Sequence, residues 1–132
     1  MSSDLTMQNS GTKALIFLGD QDGANAISRA LEKRGIQSST VGSLEQCVDQ
    51  MKMLPPDILI VEDNAESNIG IKAVREALRV SWTVSPILIS PLDEEQIHDR
   101  AEGLGILGFM SAPSDIEKLD SLIDVFMKLH GK

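Results

Sequence analysis

The stretch Pro56-Asp57-Ile58-Leu59-Ile60-Val61-Glu62-Asp63-Asn64 decides how the remaining chain is read. Its four apolar residues are consecutive and stop abruptly on acids. A strand with one wet face alternates apolar and polar side chains, so an unbroken run indicates a strand covered on both faces, as parallel strands usually are. Three more runs share this character: Ala14-Leu15-Ile16-Phe17-Leu18, Ile87-Leu88-Ile89 and, less purely, Ile106-Leu107-Gly108-Phe109-Met110. A weaker strand is expected at 37–41.

Helical periodicity fills the intervals. Ile27 and Leu31 follow Ala24, and Leu44, Val48 and Met51 fall on one face. So do Ile71, Val74 and Leu78, then Ile97, Ala101 and Leu104, and last Ile116, Leu119, Ile123 and Phe126. Ser43-x-x-Gln46 and Ser114-x-x-Glu117 have capping-box spacing, which predicts two helix starts. Gly35 and Gly103 mark helix ends, while Pro55-Pro56 and Pro86 are expected to stop the chain just ahead of strands. The order is therefore β-α five times over. Right-handed crossovers place helices on both faces of a five-stranded parallel sheet, an α/β three-layer sandwich.

Composition bounds the function. The chain has 132 residues, enough for one domain, with 42% hydrophobic, 24% charged and only 3% aromatic residues, so its core is mainly aliphatic. Twelve basic against twenty acidic side chains give a net charge of −8, and Lys33-Arg34 is the densest basic cluster. Direct nucleic-acid binding, which rests on cations neutralising phosphates, is not expected. Nor is a membrane span, since no apolar stretch approaches ~20 residues. Residues 1–12 lack the basic and apolar regions of a secretion signal and are expected to form a flexible tail before a domain at 13–132. Cys47 is alone, so no internal disulfide forms, and His98 and His130 lack metal-ligand spacing. A cytoplasmic location suits such a chain.

In open parallel sheets, ligands gather outside the carboxyl ends of strands where the strand order reverses. For a flavodoxin-like order that point lies between the first and third strands, beside Gly19-Asp20-Gln21-Asp22 and Glu62-Asp63-Asn64. Pro56-Asp57-Ile58-Leu59-Ile60-Val61-Glu62 followed by Gly70, Pro86-Ile87-Leu88-Ile89-Ser90, and Gly105-Ile106-Leu107-Gly108-Phe109-Met110-Ser111-Ala112-Pro113 then form a series. From Lys13 to about Leu129, this series resembles the receiver domain of bacterial two-component response regulators. The resemblance implies a flavodoxin-like (βα)5 fold with strand order 2-1-3-4-5, and family turns of its kind often carry a cis peptide, here before Pro113.

Receivers of that family accept a phosphoryl group on an aspartate ending the third strand. They use Mg²⁺ held by neighbouring acids, a lysine and a hydroxyl. In this chain the acceptor position carries Glu62, the acidic pair after the first strand falls on Leu18-Gly19, and the lysine position is Ala112. Ser90, at the hydroxyl position, and Phe109, at that of the switch aromatic, remain. Mg²⁺ requires oxygen ligands at about 2.0–2.1 Å in near-octahedral geometry, and Leu18 and Gly19 remove most of its seat. Asp20 stands one residue late and suits an N-cap. Glu62 supplies one negative charge against about −1.5 to −2 for a phosphoryl group, a weak imitation of the phosphorylated state.

The expectation is a degenerate pseudo-receiver with no catalytic residue, metal or cofactor. Its pocket is formed by Asp20, Asp63, Ser90 and Ala112 around Glu62, and a filled pocket is expected to hold one conformation. It would act through protein partners, or through a second copy, by the surface that receivers usually use, residues 93–103, 107–110 and 114–129. Two alternatives belong to other classes: a Mg²⁺-dependent phosphoacceptor with a shifted site at Asp63, Asp20 and Asp22, and a flavodoxin-like nucleotide or flavin binder. Scarce aromatics oppose the flavin binder. Gly19-x-x-x-Gly23 fits no phosphate-binding fingerprint.

Several residues have plainer uses. Glu62, Asp63 and Asn64 suit a solvated loop, Ser90 a strand end that caps a backbone group, and Phe109 and Cys47 the core. Trp82 suits a cover over the sheet's end or a partner anchor.

Overall fold

Five strands pair in one parallel sheet of order β2-β1-β3-β4-β5: β1 Lys13–Phe17, β2 Gln37–Val41, β3 Ile58–Glu62, β4 Ser85–Ile89 and β5 Gly108–Met110. The computed structural model describes residues 11–63, 68–92, 95, 96, 99 and 103–129. The helices whose bounds fall within the described residues are α1 Gln21–Lys33, α2 Leu44–Met53, α3 Ile69–Val80 and α4 Ile116–Leu129, and Glu95, Gln96 and Asp99 are helical as well. Residues 1–10 of the expected tail, Asn64, His98, His130 and the periodic Ile97 and Ala101 lie outside the described residues.

The unbroken apolar runs follow from two buried faces. Successive strand side chains point to opposite sides. Ala14, Ile16, Ile58, Ile60, Ile87 and Ile89 join Leu18 in a core with Ile27 and Leu31 of α1 and with Leu119, Ile123 and Phe126 of α4. Leu15, Phe17, Leu59, Val61 and Leu88 face the other way, onto Cys47 and Met51 of α2 and Ile71, Val74 and Ala77 of α3. Burial pushes the Cys47 thiol up to about 12.

Local signals work at several boundaries. Asp20 is the N-cap of α1, its Oδ1 accepting the Asp22 N–H at 3.2 Å. Gly35 (φ +77°) follows α1, and the Ile36 N–H returns to the Leu31 carbonyl, the bond pattern that ends a helix on a left-handed residue. At α2 the Gln46 N–H donates to Ser43 Oγ, while Gln46 Oε1 accepts the Gly42 N–H one residue ahead of the cap.

Five expectations change. Pro86 is the second residue of β4 rather than a stop before it. Its ring costs the ladder nothing, because its nitrogen faces the β5 side, where pairing begins only with the Leu107 N–H donated to the Pro86 carbonyl. The C-terminal helix opens at Ile116 with Asp115 at the cap position, its carbonyl taking the Leu119 N–H, so Ser114 stands outside the helix. Leu104 follows Gly103 (φ +82°) and is not helical. No cis peptide bond precedes Pro113. Trp82, in the turn between α3 and β4, is 84% exposed and covers nothing.

Candidate functional site

The carboxyl ends of the strands bring most of the predicted site residues to one edge. Glu62 ends β3 beside Ile89 of β4, and it lines a groove of about 810 Å³ with Phe17, Gly19, Ser43, Leu44, Asp63, Ile69, Ser90 and Leu92. Asp20 and Ala112 are not among the groove's lining residues.

Asp63 is not a loop residue in water. It is 4% exposed, and its Oδ1 accepts the Gly70 and Ile71 N–H groups at 3.1 and 3.3 Å. The need for it arises in α3. The residue at the N-cap position, Asn68, has a left-handed backbone (φ +57°) and makes no side-chain cap, and the first turn contains no acid. The opening N–H groups of a helix are orphaned donors with a partial positive charge. Asp63, directly after β3, answers both. The approach is so close that a Cβ on Gly70 would lie 2.8 Å from the Asp63 Cα and Cβ. Gly70 and the uncapped first turn of α3 are the sequence signals of this arrangement, and the buried role of Asp63 is the functional detail that periodicity alone misses.

Ser90 is 2% exposed, its N–H donates to the Met110 carbonyl, and its Oγ accepts the Leu92 N–H at 3.2 Å. The hydroxyl thus shapes the turn leaving β4. Phe109, paired with Leu88, is half-buried against the α2–α3 side of the core. Ala112 is half-buried. Next to it Pro113 rests on the first turn of α1, where a Cβ on Gly23 would lie 2.7 Å from the Pro113 Cβ. That contact brings the β5–α4 loop against α1.

The residues present do not fit the Mg²⁺ ion of a receiver. Where the sequence reading places a receiver's acidic pair, Leu18 is 4% exposed within the core between sheet, α1 and α4, and Gly19 has no side chain. The Asp20 carboxylate accepts a bond from α1, and that of Asp63 accepts bonds from α3. Among the described residues, no group of three or more His, Cys, Asp or Glu is placed to hold a metal ion. Among them too, no helix is long and apolar enough to cross a membrane.

The strand order and the helices on both faces define a flavodoxin-like α/β fold, which response-regulator receiver domains share. Solved structures with that fold superpose on nearly the whole chain. A two-component response regulator from Clostridium difficile matches with TM-score 0.79 and 20% identity over 92% of this chain and 99% of its own. A sensor protein from Polaromonas sp. JS666 matches with TM-score 0.73 and 24% identity over 89% and 98%. The Vibrio cholerae chemotaxis protein CheY4 matches with TM-score 0.76 and 14% identity over 87% and 98%. No protein-family model and no curated protein matches the sequence.

Proposed function

We propose that the chain is a receiver-like signalling module that works by protein–protein contact and transfers no phosphoryl group. The observation that carries this reading is the burial of Leu18: the position that holds an acid in receivers is here part of the hydrophobic core. A glutamate at position 62 also extends one methylene beyond an aspartate, and a displacement near 1 Å can cost about a hundredfold in rate. With neither a metal seat nor a lysine at Ala112, charge developing on a transferred phosphoryl group would meet no preorganised cation, usually the largest contribution to such catalysis. Contact with a partner is supported by the C-terminal helix, where Val125 and Leu129, one turn apart, keep large apolar side chains in solvent.

Incubation with acetyl phosphate and Mg²⁺, followed by intact-mass measurement, tests the proposal. The expected result is an unchanged mass. Gain of one phosphoryl group, lost in Asp63→Asn or Glu62→Gln, would overturn it.

A further inference from the structure

The geometry points to β2 as a self-pairing edge through which two copies of this chain join their sheets antiparallel about Ser39. β2 is the outermost strand of the sheet beside β1, and among the described residues no strand lies beyond it. The Gln37 N–H donates to the Thr12 carbonyl, so the backbone groups of residues 37, 39 and 41 face β1. Those of Ser38 and Thr40 therefore face outward. The outward N–H groups on either side, of Ile36 and Gly42, already donate to the Leu31 carbonyl and to Gln46 Oε1.

The outward groups that remain are symmetric about Ser39. Under a two-fold axis through that residue, Ser38 of one copy faces Thr40 of the other, and each pair exchanges both of its N–H···O bonds. Ser39 then faces its own equivalent as a non-hydrogen-bonded pair, with Cα atoms about 4.5 Å apart. An isologous contact of this kind closes on itself and stops at the dimer.

Edge strands usually carry a charge, a proline or a bulge that discourages such pairing. β2 has none of these: its sequence is Gln37-Ser38-Ser39-Thr40-Val41, and its register with β1 is unbroken over all five residues. A groove of about 600 Å³ runs beside this edge, and among the described residues its charged lining residues are Lys13 and Glu32, of opposite sign. That neutrality selects the occupant. Two chains of net charge −8 repel over most approaches, whereas β2 itself brings no charged residue to the contact.

Sedimentation velocity from micromolar to millimolar chain concentration tests the inference. Wild type is expected to approach twice the 14.3 kDa chain mass. Thr40→Pro removes an outward N–H and no bond to β1, so it should remain monomeric, with the wild-type urea midpoint at concentrations where wild type is itself monomeric. Ser39→Cys should cross-link to a disulfide dimer under mild oxidation much faster than Gln37→Cys, since Cys47 is fully buried and does not compete. A wild type that stays monomeric overturns the inference and leaves the edge to a strand of another protein. A Thr40→Pro chain that dimerises like wild type, or a Ser39→Cys chain that cross-links no faster than Gln37→Cys, overturns it as well.

Discussion

Asp63 has the side chain that phosphoryl chemistry uses and spends it on backbone amides. Removing it in Asp63→Ala leaves two buried N–H groups at the start of α3 without their acceptor. The expected cost is about 1–3 kcal/mol of unfolding free energy in urea titration. Asp63→Asn keeps an acceptor oxygen and should lose less. Gly70→Ala should lose a comparable ~1–3 kcal/mol, because its Cβ would meet the Asp63 backbone, which yields less easily than a side-chain tip. A Gly70→Ala chain as stable as wild type would show that α3 can shift away from β3. Neither residue advertises this role through hydrophobic periodicity. The bond joins positions seven apart, and only the glycine inside a helix start points to it. Leu18, by contrast, lies at the end of an apolar run and is legible from the sequence as a residue that cannot ligate a cation.

Among elements, the strands were the most legible because their residues answer to two cores at once. Alternating side chains of β1 and β3 enter opposite layers, so both parities must be apolar. Helix starts were legible only where the cap is local. Ser43 binds the Gln46 N–H within its own turn, and Ser43→Ala is expected to cost about 1 kcal/mol. Ser114 has the same spacing on paper, but Pro113 packs on Gly23 of α1 and the helix opens after Asp115. Ser114→Ala should therefore stay within about 0.5 kcal/mol of wild type. Thermal or urea unfolding of the two variants side by side distinguishes them; equal losses would mean that the Ser114 hydroxyl caps α4 after all. Pro86 misleads for a related reason, since a proline breaks a strand only where its nitrogen faces a paired neighbour.

For the whole molecule, the proposed absence of an ion seat rests on the packing of Leu18 in the core. Leu18 belongs to the layer that holds α1 and α4 on the sheet, so an acid placed there would bury a carboxylate in the cluster that contains Ala24 and Ile27. Uncompensated burial of a polar group costs several kcal/mol, so Leu18→Asp is expected to lose about that much stability in urea titration. Ligand linkage gives this argument a measurable form. An ion that binds the folded chain alone raises its stability by about 2.7 kcal/mol at a concentration 100 times its dissociation constant. Urea titrations with excess Mg²⁺ and with KCl at matched ionic strength are expected to share one midpoint, because the −8 net charge responds to both salts chiefly through screening. A midpoint raised by Mg²⁺ but not by KCl, and returned to its starting value by Glu62→Gln, would mean that the carboxyl edge still gathers enough oxygen ligands for a cation despite the buried leucine.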